Sequence, residues 1–184
     1  SKGLTGECGR RGGYMELVGV CPMVQSHIIK LASSGLCSNL NGQMMVDLML
    51  KPPVEGDPSY PQWKEESDLI FSGLERKSRA LHAMLNDIPG ISCCPLQGAM
   101  YAFPKIDLPP KAVSQAQNLG LEPDTFYALC LLEATGICTV PGSGFGQKEG
   151  TYHVRMTFLP EESRLMEAMR RFATFHASFL ETYA

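Results

Sequence analysis

A long helical pattern between residues 62 and 86 constrains the fold more than any other feature of the sequence. Five apolar side chains recur along it at steps of seven and four: Trp63, Ile70, Leu74, Leu81 and Leu85. This spacing places them on one side of an α-helix. Residues 51–61 precede it and hold four prolines and one glycine, a composition typical of a linker. The pattern therefore predicts a long helix that follows a linker and separates two parts of the chain.

The remaining patterns alternate between strand-like and helix-like segments. Strands are predicted at residues 14–20, 91–94, 99–103, 137–140 and 151–156. Further helices are predicted at about residues 23–33, 43–50, 111–118, 122–135 and from about 160 onward. We expect 91–94 and 99–103 to pair as a hairpin and 43–50 to be a buried helix. The order predicts a mixed α/β fold whose second half is a compact α+β unit.

The composition excludes several classes of function. The chain has 184 residues, of which 44% are hydrophobic, and a net charge of −3. Nothing basic indicates a nucleic-acid surface, and no apolar run approaches the ~18 residues that a membrane span needs. Seven cysteines without a C-x-x-C pair predict a reducing compartment and mostly packed thiols, Cys8 among them. No spacing typical of metal ligands is present.

The stretch from Pro141 to Arg155 is the least ordinary part of the sequence. Three glycines fall within five residues, at Gly142, Gly144 and Gly146, and a strand-like run with one arginine follows. Arginine presents a planar set of donors that suits a carboxylate or a phosphate. Locally, the stretch predicts either an anion-binding loop or a plain connection whose Arg155 faces water.

Several motifs together resemble the pyridoxal-phosphate aminotransferases of fold type I. In that family a Ser-Lys step, here Ser1-Lys2, carries the Schiff-base lysine. Further motifs are similar to those of the alanine aminotransferases within the family: residues 6–9, 11–14, 97–101 and 141–155. The similarity extends over almost the whole chain, and it implies a C-terminal portion of such an enzyme.

The resemblance implies roles for three residues. Lys2 would be the catalytic and cofactor-binding lysine, Arg11 would bind the cofactor phosphate, and Arg155 would bind the substrate carboxylate. The Arg-Gly-Gly-Tyr pattern selects Arg11 for the phosphate, whereas the eight-residue spacing of related aminotransferases selects Arg10. The resemblance also implies exchange between L-alanine with 2-oxoglutarate and pyruvate with L-glutamate. A homodimer is expected, in the cytoplasm or the mitochondrion.

The same resemblance predicts the organisation of the chain. Residues 1–57 would belong to the large cofactor-binding domain, 58–87 would form the connecting helix, and 88–184 would form the small α+β domain. The ring-binding residues of the family would lie before Ser1, so we expect this chain alone to hold pyridoxal phosphate poorly and to be inactive.

Several alternatives stay open. Glutamate–glyoxylate transamination, a non-catalytic aminotransferase-like domain and a small anion-binding module are each compatible with the motifs. His153 shares a strand face with Arg155, where it is either a packed or solvated side chain or a residue that shapes the pocket. His176 lies on an apolar helical stripe and is expected in the core.

Overall fold

The structure is a computed structural model that describes residues 7–184. It divides into two compact units, with the boundary between Ile70 and Phe71 inside a long helix. The predicted Lys2 lies outside the described residues. The predicted domain boundaries after residues 57 and 87 stay a prediction.

Two whole helices lie in the described part of the first unit, which also contains the beginning of the long helix. Helix α1 spans Pro22–Ala32 and helix α2 spans Leu40–Leu50. Proline suits the first turn of α1 because the amide hydrogen that it lacks has no helical partner there. The side chain of Asn39 caps α2 by accepting a hydrogen bond from the Asn41 amide at 3.1 Å. Both helices were predicted from the sequence.

Two expectations for this unit are wrong. Residues 14–20 do not form a strand, and Tyr14, Met15 and Val18 are exposed. A strand needs a neighbour to satisfy its backbone, and residues 14–20 pair with no strand among residues 7–184. Helix α2 is not buried in the described chain, where Gly42 alone of its residues is buried.

The second unit contains three whole helices and most of a fourth, the long helix in which the boundary lies. Helix α3 spans Tyr60–Asn86, as the long apolar pattern predicts. The others are α4, α5 and α6, which span Pro110–Asn118, Pro123–Thr135 and Glu162–Tyr183. Helix α5 ends at Gly136, whose φ of 72° is the left-handed conformation that glycine adopts without strain.

An antiparallel sheet of short strands lies in the second unit. Its strands are β1 to β5, which span Ile91–Ser92, Tyr101–Ala102, Lys105–Ile106, Val140–Pro141 and Tyr152–Thr157. Among the described residues their order is β1-β3-β5-β2, and β4 also pairs with β5. The longest strand, β5, therefore touches three others, and it carries His153 and Arg155 two positions apart on one face.

The predicted hairpin between residues 91–94 and 99–103 is wrong. Strand β1 pairs with β3, and β2 pairs with β5 in a register that places Tyr101 opposite Thr157. Strand β3, at Lys105–Ile106, lies where no strand is predicted from the sequence. Both strands next to the predicted turn find their partners in other parts of the chain.

The core of the second unit contains the apolar stripe of α6. Five of its side chains are buried, as predicted: Leu165, Met169, Phe172, His176 and Phe179. His176 is 1% exposed. Its Nε2 lies 3.0 Å from the Pro89 carbonyl oxygen and its Nδ1 lies 3.0 Å from the Tyr127 hydroxyl. Because a carbonyl only accepts, Nε2 carries the hydrogen and the hydroxyl donates to Nδ1.

This histidine is expected to make stability depend on pH. Burial lowers the pKa of His176 below its ordinary value, so the unfolded chain binds its proton more readily. Its contribution to stability is complete above about pH 6.5 and is lost as the pH falls below that value, by up to about 1.4 kcal/mol per pH unit. Urea unfolding at several pH values, followed by circular dichroism, measures the slope.

Two variants identify the source of that slope. His176→Gln, which does not titrate, is expected to flatten the pH dependence, and the exposed His27→Gln is the matched control. The pKa of His153 is also lowered, so part of the slope remains in the His176 variant. Equal slopes for His176→Gln and the unchanged chain would contradict the assignment.

The expectation for the cysteines is wrong in one respect. All seven are free thiols, but none is buried, and Cys8 is exposed rather than packed. Only Cys93 and Cys130 are half-buried, and burial raises the pKa of both thiols. The large apolar side chains of the helices fill the core instead.

Candidate functional site

The candidate site is built around Arg155 on β5. Its guanidinium carbon Cζ lies 4.7 Å from the ring centroid of Tyr101 and 4.7 Å from that of Phe145. Aromatic faces attract a guanidinium but take none of its N–H donors. The guanidinium has no ion pair or hydrogen bond with another residue in the part of the chain that the structure describes. Its donors are therefore free to bind an anion.

An aromatic cluster extends from Phe145, one of the two rings next to this arginine. Phe145 meets Phe103 edge to face, with ring centroids 5.8 Å apart, and Phe103 stacks on His153 at 4.8 Å. Aromatic pairs at these separations and angles are favourable. Phe145 thus links Arg155, which its ring faces, to the rings of Phe103 and His153.

His153 is a packed side chain, one of the two possibilities that the sequence left open. It is half-buried, and its Nδ1 lies 2.9 Å from Gln147 Oε1. Burial lowers the pKa of His153, and the nearby charge of Lys105 lowers it further, whereas Asp124 opposes the shift. The neutral form of the ring is therefore favoured.

The glycine-containing loop is tied to the start of α5. It forms a short 3₁₀ turn, Gly142–Phe145, followed by Gly146 and Gln147. The Asp124 carboxylate oxygen Oδ2 accepts from the Ser143 amide at 2.6 Å and from Gln147 Nε2 at 2.8 Å. Asp124 is 1% exposed. The loop is thus held at both sides of Phe145.

Sequence reasoning found Arg155 but missed most of its neighbours. Tyr101 lies in the motif at residues 97–101, yet nothing local indicates that its ring lies against Arg155. Asp124 was identified only as part of the start of a helix. A buried carboxylate is the kind of signal that points to such a network, but burial is a property of the fold and not of the local sequence.

Arg11 lies in the first unit and its side chain is exposed. Arg10 pairs with Glu7 at 3.3 Å, whereas Arg11 has no ion pair with any of residues 7–184. The backbone beside Arg11 packs closely on α2. A Cβ added to Gly12 would lie 2.8 Å from both the carbonyl carbon of Gly42 and Val46 Cγ2, which is too close. Glycine at position 12 therefore allows the backbone next to Arg11 to lie close to this helix.

Neither a metal site nor a membrane-spanning helix is found among the described residues. Among residues 7–184, no group of three or more His, Cys, Asp or Glu side chains is arranged to hold a metal ion. No helix within the same range is both long and apolar enough to cross a membrane.

Comparisons with known proteins identify relatives of the chain. No family model matches the chain. The chain is 54% identical over 183 residues to a probable mitochondrial alanine aminotransferase of Dictyostelium discoideum, and 50% identical over 184 residues to human alanine aminotransferase 1. Both matches cover all of this chain but only 34% and 37% of those relatives. The chain thus spans about a third of the length of the curated relatives that it matches.

Solved structures show the same relationship. An alanine aminotransferase from Pyrococcus furiosus superimposes with a TM-score of 0.61 at 33% identity, over 84% of this chain and 34% of that one. An Escherichia coli aminotransferase gives a TM-score of 0.62 at 24% identity over 88% of this chain and 37% of that one, which supports the fold alone. The chain is therefore homologous over its whole length to the alanine aminotransferases, and it has the fold of a portion of these fold type I enzymes.

Proposed function

We propose that this chain is part of an aminotransferase that exchanges an amino group between L-alanine and 2-oxoglutarate, giving pyruvate and L-glutamate. One observation carries the proposal: Arg155 lies over two aromatic rings with its N–H donors free. This arrangement occurs in a chain homologous to alanine aminotransferases over its whole length.

Arg155 would bind the carboxylate that all four substrates share. Each amino acid and each 2-oxo acid carries a carboxylate next to the reacting carbon. The planar guanidinium donates two parallel hydrogen bonds to such a group and keeps its charge in both half-reactions. The rings of Tyr101 and Phe145 would hold the guanidinium plane in place and keep water from its faces.

Pyridoxal phosphate is the cofactor that we propose, and the described residues fit its phosphate. Arg11 is exposed and has no ion pair among residues 7–184, and the backbone next to it lies close to α2 at Gly12. An arginine whose charge is not neutralised suits a phosphate. When bound, the cofactor would supply an aldehyde for the amino group and an electron-withdrawing ring. Arg10 is the weaker candidate because Glu7 already neutralises it.

Lys2 would attach the cofactor and move the proton. Its Nζ must be deprotonated to attack an aldehyde, and neighbouring positive charge with partial burial lowers a lysine pKa toward neutrality. Nζ would then take the proton from Cα of the amino acid in one half-reaction and donate a proton to the equivalent carbon of the 2-oxo acid in the other. This role comes from the resemblance, because Lys2 lies outside the described residues.

The proposal extends to assembly and compartment. We propose a homodimer for the complete protein, as in the resemblance, and the cytoplasm or the mitochondrion as its location. One relative is named as mitochondrial. Free thiols in all seven cysteines suit either compartment, because neither stabilises disulfides.

The acceptor specificity of the longer protein tests the proposal. With L-alanine as donor and 2-oxoglutarate as acceptor, we expect kcat/KM at least about tenfold above that with L-glutamate and glyoxylate, a difference of about 1.4 kcal/mol in transition-state binding. The reverse preference would support glutamate–glyoxylate transamination. Absence of both activities would support a non-catalytic domain. The isolated 184-residue chain is expected to be inactive.

A further inference from the structure

In the hydrogen bonds of the glycine loop, the chemistry of the acceptor groups determines which atom donates and which accepts. An ionised carboxylate only accepts, so Gln147 must turn its NH₂ group toward Asp124 Oδ2. Its Oε1 therefore faces His153 Nδ1 at 2.9 Å as an acceptor. The hydrogen of the neutral imidazole then lies on Nδ1, and Nε2 keeps its lone pair. Gln147 thus links a buried carboxylate to the histidine next to Phe103.

These hydrogen bonds lie on both sides of Phe145, the residue whose ring faces Arg155. Asp124 Oδ2 contacts the loop at Ser143, before Phe145, and at Gln147, after it. His153, at the end of the same network, stacks on Phe103, which meets the Phe145 ring edge to face. Phe145 is therefore held through its own backbone and through a neighbouring ring. A ring that is 47% exposed would otherwise have many rotamers available.

Gly142 shows how closely the network packs. A Cβ at this position would contact Gln147 Oε1 and would lie 2.8 Å from His153 Cβ and 2.9 Å from the His153 carbonyl oxygen. Only glycine leaves room for the Gln147 amide between the loop and β5. The position of the Gln147 amide therefore depends on glycine at position 142.

On the basis of the function proposed above, we propose that Asp124 and Gln147 are positioning residues for substrate binding. They hold Phe145 over the guanidinium of Arg155, and so fix the plane in which Arg155 presents its N–H donors to the carboxylate. Neither residue contacts the substrate. Their contribution is to pre-organise the arginine, which lowers the cost of ordering it on binding.

Kinetics of the full-length protein test this role. Gln147→Met keeps the length of the side chain and removes both hydrogen bonds. KM for L-alanine and for 2-oxoglutarate is expected to rise about five- to tenfold, and kcat is expected to stay within about twofold, because the carboxylate contact is equal in ground and transition states. Glu149→Gln, an exposed change on the same loop, is the matched control and is expected to leave both constants unchanged.

A double-mutant cycle separates positioning from a direct contact. Phe145→Leu is expected to raise both KM values by a similar factor. If Gln147 acts through Phe145, adding Gln147→Met to Phe145→Leu will raise KM by less than about twofold further. A fully additive effect, or an unchanged KM for either single variant, would overturn the proposal.

Failure of the positioning role differs from failure of the proposed function. If Gln147→Met has no effect on KM while Arg155→Lys raises it, Arg155 binds the carboxylate without help from the loop. If Arg155→Lys also leaves both KM values unchanged, the proposed carboxylate site itself is wrong.

Discussion

Replacing Arg155 with lysine in the full-length protein is expected to raise KM for both L-alanine and 2-oxoglutarate by about 10- to 150-fold. Lysine keeps the positive charge but loses the planar pair of donors, and one hydrogen bond to a charged group contributes about 1.5–3 kcal/mol. Because the carboxylate is bound equally before and during the reaction, kcat is expected to change much less. Steady-state kinetics with each substrate varied in turn measure the effect.

Arg155→Met should have a larger effect than Arg155→Lys, because it removes the charge as well as the donors. A loss of about 2–5 kcal/mol, or about 30- to several-thousand-fold in kcat/KM, is expected. Arg164→Lys, at an exposed position of α6, is the matched control. Since Arg155 forms no hydrogen bond with its side chain among residues 7–184, neither variant should lower the unfolding temperature by more than a few degrees.

Comparison of the two substrates tests which carboxylate Arg155 binds. L-Alanine has one carboxylate, and 2-oxoglutarate has a second one at its far end. A higher KM for 2-oxoglutarate alone would place Arg155 on the distal carboxylate and contradict the assignment. Unchanged KM values for both substrates would exclude Arg155 from substrate binding.

The helices of this chain were largely predictable because their signals are local. In α6, the recurrence of Leu165, Met169, Phe172, His176 and Phe179 follows the 3.6-residue period of a helix, and all five are buried. The end of α5 was equally clear, because Gly136 occupies the left-handed position that terminates a helix. The buried face of a helix and its termination at a glycine are both determined by residues that are close together in the sequence.

Strand pairing was not predictable in the same way. The turn-like residues between β1 and β2 indicated a hairpin, but Ala102 of β2 pairs with Met156 of β5, more than fifty residues later. Short strands of two residues have too few side chains to specify a partner. The alternation at residues 14–20 likewise marks a segment able to form a strand, and whether it does so depends on a neighbour outside the segment.

The candidate site shows the same division. Arg155 was identified from its place in a strand and from the motifs around it, whereas its supporting residues come together only in the fold. Asp124 and Gln147 are 23 residues apart and meet because α5 packs beside the loop. A single sequence reveals a candidate anion-binding residue more readily than the side chains that the fold packs around it.

Replacing Lys2 with alanine in the full-length protein is expected to lower kcat by about a hundred- to ten-thousand-fold, the contribution typical of a positioned acid–base group. Proton transfer at the substrate Cα would then depend on water. Loss of deuterium from Cα-deuterated L-alanine measures this step separately from binding. Lys30→Ala, at the exposed end of α1, is the matched control and is expected to behave as the unchanged protein.

Chemical trapping tests the same lysine without any rate measurement. Borohydride reduction of the cofactor-loaded protein is expected to fix a pyridoxyl group on Lys2 Nζ. Trypsin does not cleave after a modified lysine, so the peptide from Gly3 to Arg10 would disappear and a longer peptide ending at Arg10 would replace it. A pyridoxyl group on any other lysine would remove Lys2 from the proposed chemistry. The role of Arg155 would survive that result, because it depends on the contacts of β5 and not on the attachment of the cofactor.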